Sequence, residues 1–332
     1  MDMDELKVAV IGAGPWGSNH IRVYQQIDGV ELKLVCDKDK KLLEKYKNIK
    51  TTEDYRDILK DEEIKAVSVC TPASTHFKIA KDCIEAGKHV LVEKPLTLDS
   101  KQAENLIRIA DKNKVVLATG QIFRFEPTII RLKEEIKTGT FGKIYYISLS
   151  RMGLKRPRED CGVMFNYAIH DLDIMCDVLN QNMPEEITAV ATHSLGRRYE
   201  DLGIVIVKFR NGILGYSQVS WLPPKKIRDF WVIGEKRSAF VDTMNFELQI
   251  YDSGIVPKQD DFGTFQLVTR SGKVKTINVE RDEPLKKELE HFIDCILTGK
   301  KPINSGEIGV NAVRMIEHTL KSAKTGKKMR FL

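Results

Sequence analysis

Three short stretches of the chain carry side chains able to move protons or hold charge. Glu93-Lys94-Pro95 follows the apolar run 90–92, so a lysine stands at what reads as the end of a buried strand. Lysines ordinarily lie on helices and loops in water. One fixed at a strand end, with a proline confining its backbone to an extended form, is placed for chemistry. The second stretch is Asn166-Tyr167-Ala168-Ile169-His170-Asp171-Leu172-Asp173. Helical spacing sets Asn166 and His170 four apart on one face, with Asp173 a turn beyond. A histidine so placed can orient or deprotonate a hydroxyl near neutral pH while a carboxylate holds its tautomer. A histidine packed inside a helix pair and capped by an acid has the same pattern. No metal is expected, because Asp171 points away from His170 and Asp173 on a helix. The third stretch, Trp221 to Arg228, gathers cations after two prolines. Lys226 and Arg228 share a face of an extended strand and suit a phosphate or diphosphate; a plain basic turn reads the same way.

These groups need a scaffold, and its clearest mark is at the start. The apolar run 8–11 leads into Gly12-Ala13-Gly14-Pro15-Trp16-Gly17, and the next apolar run, 30–36, ends in Asp37. Strand, glycine turn, helix, strand and acid is the order of a dinucleotide-binding βαβ unit. Gly12 permits the tight turn, Gly14 leaves room for a pyrophosphate, and Gly17 lets helix and strand pack closely. Asp37 is placed to accept hydrogen bonds from a ribose diol and to repel a 2′-phosphate, which favours NAD over NADP. Lys38, Lys40 and Lys41 pull the other way only if they turn inward; as a solvated face they do not. Thr71 and Pro72, after the apolar run 66–70, would border the nicotinamide half, with His76 at the start of the next helix as a further contact or a structural residue. A cationic nicotinamide near Lys94 would lower its pKa, and the lysine could then take a hydroxyl proton as hydride leaves the carbon.

Short apolar runs at 8–11, 30–36, 66–70, 89–92 and 115–118 alternate with helical patterns at 16–27, 54–59, 76–86 and 100–112. That rhythm predicts a parallel sheet covered on both faces, an α/β Rossmann domain over 1–122. Beyond it, helices at 128–138 and 165–178 flank a strand at 143–150. Six further strands follow between 187 and 251, with Arg210-Asn211-Gly212 as a hairpin turn, and two helices close the chain at 285–297 and 309–325. This α+β pattern predicts a second domain, 123–332, built on a large and mainly antiparallel sheet, a substrate-binding and oligomerisation domain. Such a sheet leaves one broad face for self-association.

The 332 residues, 42% hydrophobic and 30% charged, exceed one ordinary core and suit two domains. No run of about 18 apolar residues is present, and the acidic start lacks a basic leader region, so a cytoplasmic protein without a membrane span is expected. Six scattered cysteines form no CxxC pair, which predicts reduced thiols and no zinc site. The net charge of +6 is spread over helices and comes with no nucleic-acid motif; it suits an anionic small molecule better.

Together, Gly12, Gly14, Gly17, Asp37, Thr71, Pro72, His76 and Glu93-Lys94-Pro95 resemble, over nearly the full chain, the glucose-fructose oxidoreductase, inositol dehydrogenase and MocA family of NAD(P)-dependent sugar and polyol oxidoreductases. Gln121 to Pro127 looks like that family's passage between domains. The resemblance implies Lys94 and His170 as the catalytic pair, with Pro15, Trp16, Glu93 and Gln121 beside the cofactor and Arg124, Asn166, Tyr167, Lys226 and Arg228 beside the substrate. The family usually has aspartate four residues before the histidine; Asn166 stands there and can orient a hydroxyl without taking its proton. Residues 14–22, with Asn166 and His170, look most like the branch acting on nucleotide-linked amino sugars. The implied reaction is NAD-dependent oxidation of the C3 hydroxyl of a UDP-linked amino sugar such as UDP-N-acetylglucosamine, in a homodimer or homotetramer. A dehydrogenase of a free inositol-like polyol and a non-catalytic NAD-binding regulator are the alternatives.

Overall fold

A computed structural model describes residues 5–259 and 265–331. Residues 1–4, on which part of the leader-peptide reading falls, lie outside them. The chain forms two compact units, Met1–Phe125 with Glu283–Arg314, and Glu126–Asp282 with Met315–Leu332.

The first unit holds β1 (Leu6–Ile11), β2 (Val30–Cys36), β3 (Lys50–Thr52), β4 (Ala66–Val69), β5 (His89–Glu93) and β6 (Leu117–Gly120). They form one parallel sheet in the order β3-β2-β1-β4-β5-β6. The order reverses between β1 and β4, the place where open α/β sheets bind ligands at their strands' carboxyl ends. The helices are α1 (Pro15–Tyr24), α2 (Lys40–Leu43), α3 (Arg56–Lys60), α4 (Ala73–Glu85) and α5 (Ser100–Asn113). Alternate strand residues feed two cores. Ala9, Ile11, Val67 and Val69 pack with Ile79 and Cys83 of α4 and Leu106 of α5, while Val8 and Val10 pack with Ile21 and Tyr24 of α1.

The second core also contains Leu285, Leu289 and Phe292 of a late helix, Pro284–Thr298. Here the structure departs from a division at 122/123, which assigns everything after it to the second domain. That helix packs on the Val8 and Val10 face beside α1 and the single turn α2, so 283–314 belongs to the first unit. Sequence patterning also passes over β3, whose three residues Lys50, Thr51 and Thr52 carry no apolar signal.

In the second unit α6 (Pro127–Lys137) precedes β7 (Ile144–Met152), and α7 (Ile169–Val178) precedes a run of strands. These are β8 (Glu186–Thr192), β9 (Leu202–Lys208), β10 (Leu214–Ser220), β11 (Ile227–Gly234), β12 (Ser238–Asp242), β13 (Glu247–Tyr251), β14 (Gly254–Gln259), β15 (Phe265–Arg270), β16 (Val274–Asn278) and β17 (Met329–Arg330). Eight of them join β7 in a nine-stranded sheet of order β16-β13-β12-β11-β7-β10-β9-β8-β17, antiparallel except where β7 and β10 run parallel; β14 and β15 pair separately. The β9–β10 hairpin turns on Asn211 and Gly212, both at positive φ. β16 escaped pattern reading because its side chains are mostly exposed and do not alternate.

Residues 165–178 are not one regular α-helix. Met164–Ala168 winds as a π-helical turn before α7 begins. Asn166 and His170 therefore straddle a change of pitch, and the four-residue spacing no longer sets their relative direction as it does within an α-helix. No helix among the described residues is long and apolar enough to cross a membrane. None of the six cysteines forms a disulfide, and burial pushes the Cys36 and Cys83 thiols up to about 12.

Candidate active site

In the first unit the glycine turn follows β1 directly. Gly12 has φ +100°, and a Cβ there would lie 2.6 Å from the Cys70 carbonyl oxygen at the end of β4. A Cβ at Gly17 would fall onto the Gly12 carbonyl oxygen, so α1 touches the turn it leaves. Gly14 is different: a Cβ there would meet no protein atom within 4 Å. Two of the three glycines thus serve the protein's own packing, and the third leaves an open approach. Pro15 opens α1 at a position where its missing N–H costs nothing, and Gly14 supplies no side-chain cap for the helix N-terminus. Asp37 reaches back from the end of β2. Its Oδ2 accepts from the Ala13 N–H at 2.6 Å and its Oδ1 from the Asp39 N–H at 2.9 Å. Lys38, Lys40 and Lys41 are all exposed.

At the ends of β4 and β5 the sequence-expected residues come together through one imidazole. His76 Nε2 lies 2.8 Å from the Thr71 carbonyl oxygen and Nδ1 lies 2.7 Å from that of Pro95. Thr75 Oγ donates to Thr71 Oγ at 2.8 Å, while Pro72 caps α4 and is exposed. Lys94 is half-buried, and the peptide bond to Pro95 is cis. Glu93, only 7% exposed, accepts from the Trp16 indole N–H and from His20 Nε2, the latter at 2.9 Å; its other oxygen accepts the Lys94 N–H at 3.1 Å. Burial pushes the Glu93 carboxyl up, but the hydrogen bond and charge of His20, the Trp16 bond and Lys94 outweigh it, and the pKa lies below its ordinary value. His20 was passed over in the sequence. Its signal was available: it stands four residues after Trp16, a polar residue on the buried side of α1.

Gln121 is buried just beyond β6, and its side-chain Nε2 has no partner among the described residues. Arg124 rests its guanidinium on the Ile303 carbonyl oxygen at 3.3 Å. The open side of Gly14 and the unpartnered Gln121 amide fit a dinucleotide laid along the carboxyl ends of these strands.

In the second unit Asn166, Tyr167, His170, Asp171 and Asp173 are all buried. Asp171 faces Arg151 of β7, whose Nε donates at 2.6 Å, and Ser217 of β10, whose hydroxyl donates at 2.7 Å. The Tyr167 ring is flanked by two cations, with the Arg228 guanidinium 5.2 Å and the Lys155 ammonium 5.7 Å from its centroid. Arg228 also donates to the carbonyls of Met152 and Ile227. Burial, with Arg158 and Arg228 nearby, holds the Lys155 pKa below its ordinary value; burial and Arg151 do the same to Arg228. Arg158 forks onto Asp160 at 2.8 and 2.6 Å. Lys226 is exposed and takes no part in the pair flanking Tyr167. Lys155 was missed in the sequence, where it stands in an irregular stretch apart from residues 221–228. Among the described residues no cluster of His, Cys, Asp and Glu could hold a metal ion.

Comparison with known proteins gives these features a context. Residues 6–121 match the family model described as "Oxidoreductase family, NAD-binding Rossmann fold", and residues 133–331 match that of the "Oxidoreductase family, C-terminal alpha/beta domain". The chain is 32% identical over 251 residues to UDP-N-acetylglucosamine 3-dehydrogenase of Acidithiobacillus ferrooxidans, covering 74% of this chain and 75% of that protein. It is 26% identical over 325 residues to myo-inositol 2-dehydrogenase of Thermotoga maritima, covering 93% of each. Among solved structures, GenD2 from gentamicin A biosynthesis, in complex with NAD, shares the fold with a TM-score of 0.84 at 24% identity, covering 100% of this chain and 98% of that one. The chain belongs to the Gfo/Idh/MocA oxidoreductase family, and its first unit carries the NAD-binding Rossmann fold of that family.

Proposed function

We propose that the protein is an NAD-dependent dehydrogenase that oxidises the C3 hydroxyl of a UDP-linked amino sugar, UDP-N-acetylglucosamine, to the 3-keto sugar. The observation that carries the substrate class is the cationic setting of Tyr167: Lys155 and Arg228 flank a ring that neighbours Asn166 in sequence and stands three residues before His170. Packed cations of depressed pKa seek an anion, and a diphosphate supplies one. The position on the sugar follows the similarity to the Acidithiobacillus ferrooxidans enzyme.

In this reading Gly12, Gly14, Pro15, Trp16, Gly17 and Asp37 hold the adenosine and pyrophosphate parts of NAD. Thr71, Pro72, His76, Glu93, Lys94 and Gln121 border the nicotinamide half. NAD, when bound, supplies the hydride acceptor. Lys94 takes the hydroxyl proton and the C–H electron pair departs as hydride, so a secondary alcohol becomes a ketone with one proton released. His170 orients the hydroxyl and shares in its deprotonation, Asn166 hydrogen-bonds it, and Arg124, Tyr167, Lys226 and Arg228 border the rest of the substrate. The protein acts in the cytoplasm.

The second reading, oxidation of a free polyol, draws on the similarity to the Thermotoga maritima inositol enzyme over 93% of each chain. A screen for NADH formation with UDP-N-acetylglucosamine, UDP-N-acetylgalactosamine, the matching uronic acids and free inositols separates the two. Turnover only with inositols overturns the nucleotide-sugar reading, and Lys155→Ala should raise KM for a nucleotide sugar but not for an inositol. Changing Lys94 to Ala should cut kcat by ~10²–10⁴-fold; a loss below about tenfold removes it as the principal base.

A homodimer or homotetramer forms, in this proposal, through the outer face of the nine-stranded sheet. Val190 of β8 pairs across to Ile204 of β9, and Ile206 of β9 to Tyr216 of β10, and all four are exposed. A contiguous apolar sheet face of this kind suits a second copy of itself.

A further inference from the structure

Glu93 is a buried carboxylate that no step above uses, and it ties the Lys94 amide to two side chains of α1. Oε1 holds the Trp16 indole and His20 Nε2, while Oε2 holds the Lys94 amide at 3.1 Å. His20 is fully buried, so this acceptor is locked from behind. On the other side of Lys94, the Pro95 carbonyl oxygen lies 2.7 Å from Nδ1 of His76, itself only 1% exposed and also reaching the Thr71 carbonyl. A neutral imidazole donates to one of these carbonyls at a time, and an imidazolium to both. β6 closes against the same carboxylate: a Cβ at Gly120 would stand 3.0 Å from the Glu93 carboxyl carbon and from each of its oxygens.

We propose that Glu93 and His76 are positioning residues for Lys94, the first fixing its amide and the second the carbonyl of the next residue, Pro95, with His20 holding Glu93 in place. The inference rests on Lys94 being the proton acceptor. With the backbone held on both sides, the lysine side chain starts from a defined point. Trp16 shares the carboxylate, so the first turn of α1 is referenced to the same group. A side chain that must meet a hydroxyl within hydrogen-bond distance gains from such a fixed origin, since a displacement of about 1 Å costs up to ~10²-fold in rate.

The test uses the full-length enzyme, with the nucleotide sugar or polyol that gives turnover in the screen. Glu93→Gln, Gly120→Ala and His76→Gln are each measured for kcat, KM and NAD affinity, alone and combined with Lys94→Ala. Each single variant should lose roughly 10–10²-fold in kcat, with substrate KM within about threefold of the parent. In the Lys94→Ala background the same changes should lower kcat by less than about threefold, because their effect passes through the lysine. Equal fractional losses in both backgrounds, or an unchanged kcat in Glu93→Gln, overturn the proposal. Gly120→Ala removes no polar group and presses only on the Glu93 carboxylate. Its kcat loss supports the proposal even where Glu93→Gln does not fold, and an unchanged kcat overturns it. A loss below about tenfold for Lys94→Ala alone defeats the base assignment instead, so the two failures are told apart.

Discussion

The Asp37 carboxylate accepts the backbone N–H of Ala13 at 2.6 Å, tying the end of β2 to the glycine turn that follows β1. The acid therefore shapes the turn. Asp37→Ala should raise the dissociation constant for NAD about 10–100-fold, the range expected when a hydrogen bond to a charged group is lost. Affinity for NADP should fall less, because the negative charge that repels a 2′-phosphate goes with it. Fluorescence titration with both dinucleotides checks this, and equal losses for the two remove Asp37 from cofactor choice.

Gly14 and Gly17 should respond in opposite ways to the same substitution. Gly17→Ala drives a methyl onto the Gly12 carbonyl oxygen and should destabilise the protein by about 3 kcal/mol in thermal or urea unfolding. Gly14→Ala meets no protein atom and should leave stability within about 0.5 kcal/mol while weakening NAD binding. Unchanged NAD affinity in Gly14→Ala would show that its open side is not where the pyrophosphate lies.

Much of this was legible in the sequence because it is local. The order of strand, glycine turn, helix and acid places Gly12, Gly17 and Asp37 within one βαβ unit, and the structure has β1, the turn, α1 and β2 in that order. Bonds between distant segments were not legible. His20 reaches Glu93 across 73 residues and Arg151 of β7 reaches Asp171 of α7, and local periodicity names the partner of neither. The pitch change at Met164–Ala168 was hidden for a related reason. A π turn and an α turn can bury the same apolar residues, so composition does not separate them.

Asp171 and Arg151 form a buried pair completed by Ser217. Asp171→Ala strips the guanidinium of this carboxylate in a low-dielectric setting and should cost about 3–5 kcal/mol in urea denaturation. Asp171→Asn retains an acceptor for Arg151 and should cost less. Equal losses for the two would assign the effect to packing and not to charge.

Glu200 gives a pH signature. It is buried, it accepts the Met164 N–H at 3.1 Å, and burial raises its pKa above the ordinary carboxyl value. The folded protein therefore binds this proton more tightly than the unfolded chain does. The contribution favours folding at low pH and declines as pH rises from the unfolded value, about 4.3, through the folded one. At pH 7 the buried charge opposes folding. Glu200→Gln, a neutral isostere that still accepts the Met164 N–H, should raise the thermal midpoint at pH 7, and the gain should vanish at about pH 4 and below. A gain independent of pH would contradict the assignment.

The outer sheet face makes a prediction about mass in solution. Light scattering should report a particle at least twice the 37.8 kDa chain. Ile206→Asp, placing a charge where a 49% exposed isoleucine stands between Thr188 and Tyr216, should reduce it to the monomer without loss of NAD binding.

The return of residues 283–314 to the first unit also bears on how the protein is made. A ribosome delivers β1 through β6 early, yet Leu285, Leu289 and Phe292, which cover Val8 and Val10, emerge only after most of the second unit has been synthesised. The usual vectorial rule, in which an amino-terminal domain closes before the next begins, cannot complete here. At about 5–20 residues per second, the half-covered sheet waits on the order of ten seconds or more with an apolar face bare, a window in which chaperones have something to hold.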